Sequence, residues 1–518
     1  MSKNFEALQQ SPRHVSRWQR AQQDFLNGQF DRASESYREL LLQFPDTAGL
    51  WFELGLAAAK RLDYAQADEA YQRTIALSVH DISMLILVGQ QYHTLRRLEQ
   101  ARHCFEQAAE ANPASLHAQL SLADWYERER QLDRAWQCIE ICERHHPGDP
   151  QLLCVKALLL HRRKQAAAAE TILRDLIRSG VGDLNVKYSS RHQLAVLLDE
   201  AGLHTEAWHW LTEAKTVLRQ SANVAKLEHD YDRSVLRRRT LLDGLTKAHL
   251  QRWRQEATAD GHAPRLAFLG GHPRSGTTLL EQILGAHPSL TALDEPPAFI
   301  EEVTEKLTPL TATTHFTLKH LDALTVVQRH HYRQRYFKSL QRTGPAIATE
   351  LLLDKNPSLT AQLHQWLRLF PATKVIIALR DPRDVLISTS FLNVRLNPTS
   401  VNFLSLERTA RHYADLMDVW LRLRDLGGFD WLESRYEDVV ADLATEGRRV
   451  TEFLGLIWHP QQAASHEKAK HQFVFAPTYN DVTKPVHNRA IGRWKNYAET
   501  LAPVQARLAP YLRNFRYG

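Results

Sequence analysis

The chain has 518 residues, of which 43% are hydrophobic and 24% are charged, with 21 glycines and 21 prolines. This composition excludes a single small module, wholesale disorder and a fibrous repeat, and it leaves room for several globular domains. Lysine and arginine number 65 against 59 acidic residues, a net charge of +6 that favours anionic ligands without requiring nucleic acid, and we expect no nucleic-acid partner.

The start of the chain, MSKNFEALQQSPRHVSRWQR, lacks the apolar core of a signal peptide. No later segment has the ~18 apolar residues that are required to span a bilayer. The four cysteines all lie between positions 104 and 154, too few and too close for a disulfide framework in a chain of this size. We therefore expect a cytoplasmic protein with no membrane partner.

Alanines recur every 34 positions through the first half of the chain, at Ala33, Ala67, Ala101, Ala135 and Ala169. A second small residue stands 12 positions before each of them, and a large apolar residue stands 4 positions after. Small side chains at two fixed points let two helices approach closely. A sixth unit follows at Ala195 and Ala207, after an insertion of four residues.

This pattern resembles the tetratricopeptide repeat, a helix-turn-helix unit whose neighbours stack into a superhelix with a concave groove. The resemblance covers residues 13–217, about six repeats, and implies an all-α solenoid. Two roles stay open for it: a scaffold or dimer surface, or a groove that binds a peptide or protein partner. Residues 218–262, with the basic run Arg237 to Arg239, are interpreted as a helical connector.

The cysteines of the repeats are the first candidates for a metal site. Cys138 and Cys142 are four positions apart on one predicted helical face, where a small apolar side chain fits the repeat core. No CxxC or HExxH motif occurs in the sequence. We interpret the cysteines as core residues and predict no metal.

A strand, a loop of small residues and a helix follow Arg265 in the segment RLAFLGGHPRSGTTLLEQILGAHP. This order predicts an anion cradle, in which the backbone N–H groups from Arg274 to Thr278 and the positive end of the helix face a phosphate or sulfate. The nucleotide triphosphatase signature GxxxxGK[ST] has a lysine before its hydroxyl residue, and this loop has none. Arg274 supplies a cation inside the loop instead, which argues against magnesium-dependent ATP hydrolysis.

A second strand, in KVIIALRDPRDVLIS, ends in Arg380, where an ATPase would place a metal-binding aspartate. Arg380 and Ser388 on the following helix predict a second anion site, because charge-assisted hydrogen bonds hold phosphates well. The ligand is therefore expected to carry anionic groups at two ends.

Together, FLGGHPRSGTT and VIIALRDPRDVLIS resemble the sulfotransferase family, whose donor is 3′-phosphoadenosine 5′-phosphosulfate and whose product is adenosine 3′,5′-bisphosphate. The PRSGTT and AHP segments are most similar to the tyrosylprotein sulfotransferases. The resemblance covers about residues 263–500. It implies, over residues 263–518, an α/β P-loop-like domain with a parallel sheet that binds anions at the carboxyl ends of its strands and needs no metal.

The resemblance also implies the donor contacts. It assigns the 5′-phosphosulfate to the first loop and the 3′-phosphate to the second segment, with further contacts from a tyrosine and a late basic segment. The residues are Arg274, Ser275, Gly276, Thr277 and Thr278, then Arg380 and Ser388, then Tyr436, Lys484 and Arg493. For Tyr436 structural packing is the alternative, and for the last two a solvated basic face.

Sulfuryl transfer requires that the acceptor oxygen lose a proton and that the developing charge meet cations. The resemblance places a glutamate base at Glu295, with Asp294 as the alternative, and a catalytic lysine at Lys355 that bridges the leaving phosphate and the sulfuryl oxygens. The prolines Pro296 and Pro297 depart from that family and leave the acceptor open. A surface cap for Glu295 and an ordinary turn for Lys355 are the structural alternatives.

These features predict a sulfotransferase that acts by in-line transfer, with Glu295 as base and Arg274 and Lys355 as electrostatic stabilisers. The acceptor hydroxyl belongs to a tyrosine of a peptide or protein, a glycan or a small molecule. Two other functions stay open: an atypical P-loop nucleotide kinase, and a nucleotide-binding repeat adaptor without catalysis.

Overall fold

The computed structural model describes residues 10–259, 265–307, 316–341, 350–470, 473, 475, 483–484 and 486–518. The chain divides into two compact units, Met1–Ala169 with Lys338–Ala346, and Glu170–Phe337 with Ile347–Gly518. Within the described residues the repeats are helical throughout, and one five-stranded sheet lies in the second unit.

Helices of 13 to 17 residues alternate with short turns through the repeats. They are α1 (Pro12–Leu26), α2 (Phe30–Gln43), α3 (Ala48–Lys60), α4 (Tyr64–Leu77), α5 (Ile82–Thr94), α6 (Leu98–Ala111), α7 (Leu116–Arg128), α8 (Leu132–His145), α9 (Pro150–Arg162), α10 (Ala166–Ser179), α11 (Leu184–Glu200) and α12 (His204–Leu218). The predicted all-helical repeat fold is confirmed.

The turn inside each repeat has the same backbone geometry. At this turn, between the two helices of a repeat, one residue has φ between 60 and 80°: Gly28, Leu62, Arg96, Arg130, Lys164 and Gly202. The next N–H bonds back to the helix five residues earlier, as Asp63 does to the carbonyl of Ala58, which is the Schellman ending of a helix. Since four of these six residues are not glycine, hydrogen bonding and helix packing hold the turn in place.

Close helix contact explains the small residues of the period. Ala33, Ala67 and Ala101 are fully buried. A Cβ added at Gly55 would lie 2.5 Å from Cε1 of Tyr71, which leaves no room for a side chain there. The cysteines are buried in the same helices, and burial raises the pKa of Cys104 and Cys138 to about 12.

The parallel sheet of the second unit comprises β1 (Arg265–Gly271), β2 (Leu290–Asp294), β3 (Leu351–Lys355), β4 (Lys374–Leu379) and β5 (Trp431–Arg435). The strand order is β2-β3-β1-β4-β5, with every pair parallel. The inner strands are apolar runs buried on both faces, as a parallel sheet covered by helices requires. Ala267, Leu353 and Ile376 from three neighbouring strands pack into one core.

The helices of this unit beyond α12 are α13 (Val224–Leu242), α14 (Lys247–Ala259), α15 (Thr277–Gly285), α16 (Glu305–Leu307), α17 (Leu318–Asp322), α18 (Val326–Leu340), α19 (Leu363–Leu369), α20 (Pro382–Ser390), α21 (Leu406–Leu426), α22 (Tyr436–Ala441), α23 (Leu443–Phe453), α24 (Ser465–Lys470), α25 (Ala498–Leu501) and α26 (Gln505–Asn514). Within the described ranges, none is long and apolar enough to cross a membrane. Because the strands are parallel, the loops that follow them meet at one edge of the sheet.

The last repeat packs against the sheet-containing part of the second unit. The hydroxyl of Tyr188 on α11 donates to Asn393 Oδ1 at 3.1 Å. Asp199, at the end of the same helix, accepts from Arg493 Nη2 at 2.6 Å and from the hydroxyl of Tyr497. The end of the repeat array is thus joined to the late segment that the sequence assigns to the ligand site.

Candidate active site

A cavity of about 1160 Å³ opens at the carboxyl ends of the five strands. Its walls include a residue from the loop or helix after each strand: Arg274, Glu295, Pro357, Arg380 and Tyr436. Sites for one small ligand usually measure ~300 to 1,000 Å³, so this cavity lies just above the usual range. The predicted location of the anion site at this edge coincides with the cavity.

The loop after β1 depends on two glycines. Gly271 has a φ of 126°, and a Cβ there would lie 2.3 Å from the carbonyl oxygen of Ala378. Gly276 has a φ of 88°, and a Cβ there would lie 2.6 Å from Cδ2 of Tyr436. Tyr436, predicted to contact the donor, therefore packs directly against the loop. The backbone at Gly276 leads into the N-terminus of α15, whose unpaired N–H groups favour an anion.

Two of the predicted catalytic residues have a left-handed backbone although they are not glycine. The φ angle is 75° at Arg274 and 48° at Glu295. This conformation costs roughly 1 to 2 kcal/mol and is concentrated at functional sites. At Glu295, the backbone N–H donates to the carbonyl of Lys355 at 2.8 Å, which extends the pairing of β2 with β3 past the strand end. The turn directs Glu295 to the cavity wall.

The two predicted anion-binding segments contact each other directly. Arg274 Nε donates to Ser388 Oγ at 2.8 Å, and Arg380 Nη1 donates to the carbonyl of Arg274 at 3.1 Å. Arg380 also donates to the carbonyl of Ala490, and its guanidinium lies 5.1 Å from the ring centroid of Tyr436. Within the described part of the chain, Arg380 Nε is buried without a hydrogen-bond partner. It is the kind of donor that a bound anion would satisfy.

The remaining predicted donor contacts lie on the same cavity. Ser388, Lys484 and Arg493 line it, as do Thr277 and Thr278, while Ser275 is buried within the loop. The guanidinium of Arg493 also stacks over Phe391 at 4.7 Å, in addition to its ion pair with Asp199. The role of each in donor binding stays a prediction.

Lys355 is fully buried behind the wall that Glu295 forms. Its Nζ donates to Asp294 Oδ1 and, at 3.0 Å, to Glu295 Oε1, and it lies 3.2 Å from Glu281 Oε2. An ammonium has three protons, and the carboxyl groups of three acidic residues surround this one. Burial alone lowers the pKa of Lys355, but the three acidic residues more than offset it and the net shift is upward. A permanent cation therefore orients Glu295, and contact of Lys355 with sulfuryl oxygens stays a prediction.

A model of the sulfotransferase family matches residues 264–460, and a model of the tetratricopeptide repeat matches residues 20–78 and 92–138. The chain carries tetratricopeptide repeats and a sulfotransferase-family domain. This confirms the family resemblance.

Among curated proteins, protein-tyrosine sulfotransferase 2 of Gallus gallus is 24% identical over 292 residues, which cover 49% of this chain and 72% of that protein. An uncharacterized protein of Aquifex aeolicus (strain VF5) is 24% identical over 346 residues, which cover 64% of this chain and 43% of its own length. The solved sulfotransferase domain from the Synechococcus PCC 7002 olefin synthase has 22% identity and a TM-score of 0.32, covering 46% of this chain and 89% of that one. The chain thus spans less than half of the Aquifex relative.

The two adjacent acids of the sulfotransferase domain differ in their surroundings. The side chain of Asp294 is 14% exposed, and its second oxygen accepts from the N–H of Phe475 at 2.9 Å. The side chain of Glu295 is 41% exposed and lines the cavity. The geometry favours Glu295 as the acid that meets an acceptor.

Glu281 is a site residue of the sulfotransferase domain that sequence reasoning missed. It lies on α15, directly after the anion loop, and is buried against Lys355. Burial raises the pKa of Glu281 to about 8; Lys355 acts in the opposite direction, and the charges of Asp294 and Glu295 add to the rise. The available signal was an acidic residue within the apolar run LLEQIL.

We expect Glu281→Gln to change the pH dependence of stability. The folded-state pKa of Glu281, about 8, lies above its ordinary value of 4.5, so the wild type loses stability as the pH rises through this window. Glutamine does not titrate. The melting temperature of the variant should therefore rise relative to wild type between about pH 5 and pH 8.5, by the equivalent of on the order of 3 kcal/mol. A difference between the two melting temperatures that stays constant with pH would contradict this assignment.

Helix α13 is the second feature that sequence reasoning missed. The sequence predicts a connector there, whereas the structure places Tyr231, Ser234, Arg237 and Arg238 on the cavity wall. The basic run was visible in the sequence, but nothing local indicates that it faces the ligand cavity.

Proposed function

We propose that this protein transfers a sulfuryl group from 3′-phosphoadenosine 5′-phosphosulfate to an acceptor hydroxyl. The observation that supports this best is the joining of both anion-binding segments, through the Arg274–Ser388 and Arg380–Arg274 hydrogen bonds, on a cavity that Glu295 also lines. A donor with anions at both ends needs such a pair of segments, and an acceptor needs a base beside them.

The residues present fit this donor. Gly271 and Gly276 keep the loop clear of side chains at two points of close contact, and Arg380 Nε, within the described residues, is a buried donor without a partner. The groups that would hold the 5′ end are Arg274, Ser275, Gly276, Thr277 and Thr278, and those for the 3′ end are Arg380, Ser388, Lys484 and Arg493, with Tyr436 beside the loop. When bound, the donor would supply the sulfuryl group on a phosphate that leaves.

The chain's own residues divide the remaining work. Glu295 takes the proton of the acceptor hydroxyl, since a carboxylate within hydrogen-bond reach is a sufficient base. Arg274 places a guanidinium inside the loop, where it stabilises negative charge that develops on the transferring group. Lys355 holds Glu295 through its 3.0 Å contact and so restricts the directions in which the carboxylate can accept the proton.

For the acceptor we propose a tyrosine on a peptide or protein. The similarity to protein-tyrosine sulfotransferase 2 supports it, as do repeats that offer an extended surface to a polypeptide partner. We place the reaction in the cytoplasm, because the few clustered cysteines suit a reducing compartment.

The deciding experiment incubates the full chain with ³⁵S-labelled donor and three separate acceptor pools: tyrosine peptides, glycans and small phenols. We expect label in the peptide pool without added divalent metal. Transfer of phosphate from ATP with magnesium would favour the nucleotide kinase. Tight binding of adenosine 3′,5′-bisphosphate with no label in any pool would favour the adaptor.

A further inference from the structure

We propose that helix α13 forms the acceptor-binding wall of the cavity and that Arg238 binds an anionic group of the acceptor. This inference rests on the proposed function and adds a substrate class to it. The helix precedes the region matched by the sulfotransferase model, residues 264–460. Acceptor selection would thus depend on a segment between the repeats and the family domain.

Helix α13 presents one face to the cavity. The lining residues recur at the three- and four-residue spacing of a helical face: Asp230, Tyr231, Ser234, Arg237, Arg238 and Leu241. The groups proposed for the donor are contributed by the loops after β1 and β4 and by the late basic segment. Helix α13 contributes none of these groups, so its wall is available to a second ligand.

Arg238 is a half-buried cation whose neighbouring carboxylate, Asp415, has other hydrogen-bond partners. Asp415 accepts from Arg239 at 3.0 Å and from the hydroxyl of Tyr231 at 3.2 Å, and it lies 3.6 Å from Arg411. Within the described ranges, Arg238 Nε is buried with no hydrogen-bond partner. Burial lowers the pKa of the Arg238 guanidinium, and the nearby Tyr231 and Asp415 act in the opposite direction. A half-buried guanidinium with a buried Nε is further stabilised when an anion enters the cavity.

The histidines and Asp230 near Arg238 do not neutralise its positive charge. Burial lowers the pKa of His364 to about 3 and that of His412 well below its ordinary value, so both rings are neutral at physiological pH. Asp230 on the same wall already pairs with Lys226 at 2.8 Å and with Arg233 at 3.2 Å.

The remainder of this wall is aromatic and apolar. Tyr231 and Phe403 flank His412, with ring centroids 5.7 and 5.3 Å from it, and Leu241 and Leu416 complete the surface. Flat apolar groups favour an aromatic ligand. Together with Arg238, they define the acceptor class as an aromatic hydroxyl compound that carries a carboxylate.

The test compares two probes that differ only in charge, 3-(4-hydroxyphenyl)propionate and its amide. Their binding to the full chain, saturated with adenosine 3′,5′-bisphosphate, is measured by calorimetry. We expect wild type to bind the carboxylate at least ~10-fold more tightly than the amide, and Arg238→Gln to bind both equally. Arg219→Gln removes a charge from an exposed side chain that precedes the same helix and is not part of the cavity wall, and it should keep the wild-type preference.

Equal binding of both probes by wild type, binding of neither, or a preference that survives in Arg238→Gln would overturn the inference. Binding of the bisphosphate checks that the variant is folded. If Arg238→Gln is not folded, Arg238→Lys is used in its place. We expect this variant to prefer the carboxylate over the amide less strongly than wild type does, and an unchanged preference overturns the assignment. The calorimetric measurement needs no turnover. If label were transferred to no acceptor pool, the proposed function would be wrong, but the measured preference for the carboxylate probe would still stand.

Discussion

Replacing Glu295 by glutamine should lower kcat by ~10²-fold or more, because the acceptor hydroxyl loses its proposed base while the shape of the side chain is kept. The groups proposed for the donor lie on other loops of the cavity, so the affinity for adenosine 3′,5′-bisphosphate should change by less than about threefold. Steady-state transfer from labelled donor, with bisphosphate binding measured in parallel, provides both values.

Asp294→Asn is the matched variant at the neighbouring acid. Asp294 contacts Lys355 and the N–H of Phe475 and is mostly buried, so its loss should reduce kcat by less than ~10-fold, through the orientation of Glu295. If Asp294→Asn lowered kcat more than Glu295→Gln does, Asp294 would be the base.

Arg274→Ala should lower kcat/KM by ~10²-fold or more, since it removes the guanidinium that we propose faces the transferring group. Binding of adenosine 3′,5′-bisphosphate, which has no sulfuryl group, should weaken much less. The kcat/KM of Arg274→Lys should lie between those of wild type and Arg274→Ala. Lysine keeps the positive charge but loses the planar guanidinium, whose Nε donates to Ser388. The measurement is steady-state transfer over a range of concentrations of labelled donor.

Arg383→Ala serves as the control for this prediction. Arg383 belongs to the same RDPRD segment as Arg380, but it pairs with Asp381 at 2.6 Å and stacks over Trp494 at 3.8 Å. Its removal should leave kcat within about threefold of wild type. If Arg274→Ala transfers label as fast as Arg383→Ala and wild type do, the site proposed around Arg274 is wrong.

Local sequence carries much of the fold. The 34-residue period predicts the helix pairs, because spacing along one helix sets which side chains face its partner. The strand-loop-helix order at Arg265 predicts the anion loop, because its geometry depends on consecutive residues such as Gly271 and Gly276. The helical repeats and the strand-loop-helix order are confirmed, and anion binding by the loop stays a prediction.

The candidate site was predicted only in part. Sequence spacing and resemblance indicated Arg274, Glu295 and Arg380, which the structure brings to one cavity. The sequence did not predict the neighbours of Lys355, because its contact with Glu281 joins a strand to a helix that is far away in the sequence. The left-handed backbone at Glu295 was equally hidden, because a strained φ on a non-glycine residue has no local signal.

The sequence by itself determined the repeats, the loop and the family, because each is encoded in residues that are close together along the chain. Only the tertiary structure decided that Glu281 and Lys355 share a buried charge cluster, that Asp199 of the last repeat holds Arg493, and that α13 faces the ligand cavity. Burial and charge environment depend on residues far apart in sequence, and folding alone brings them together.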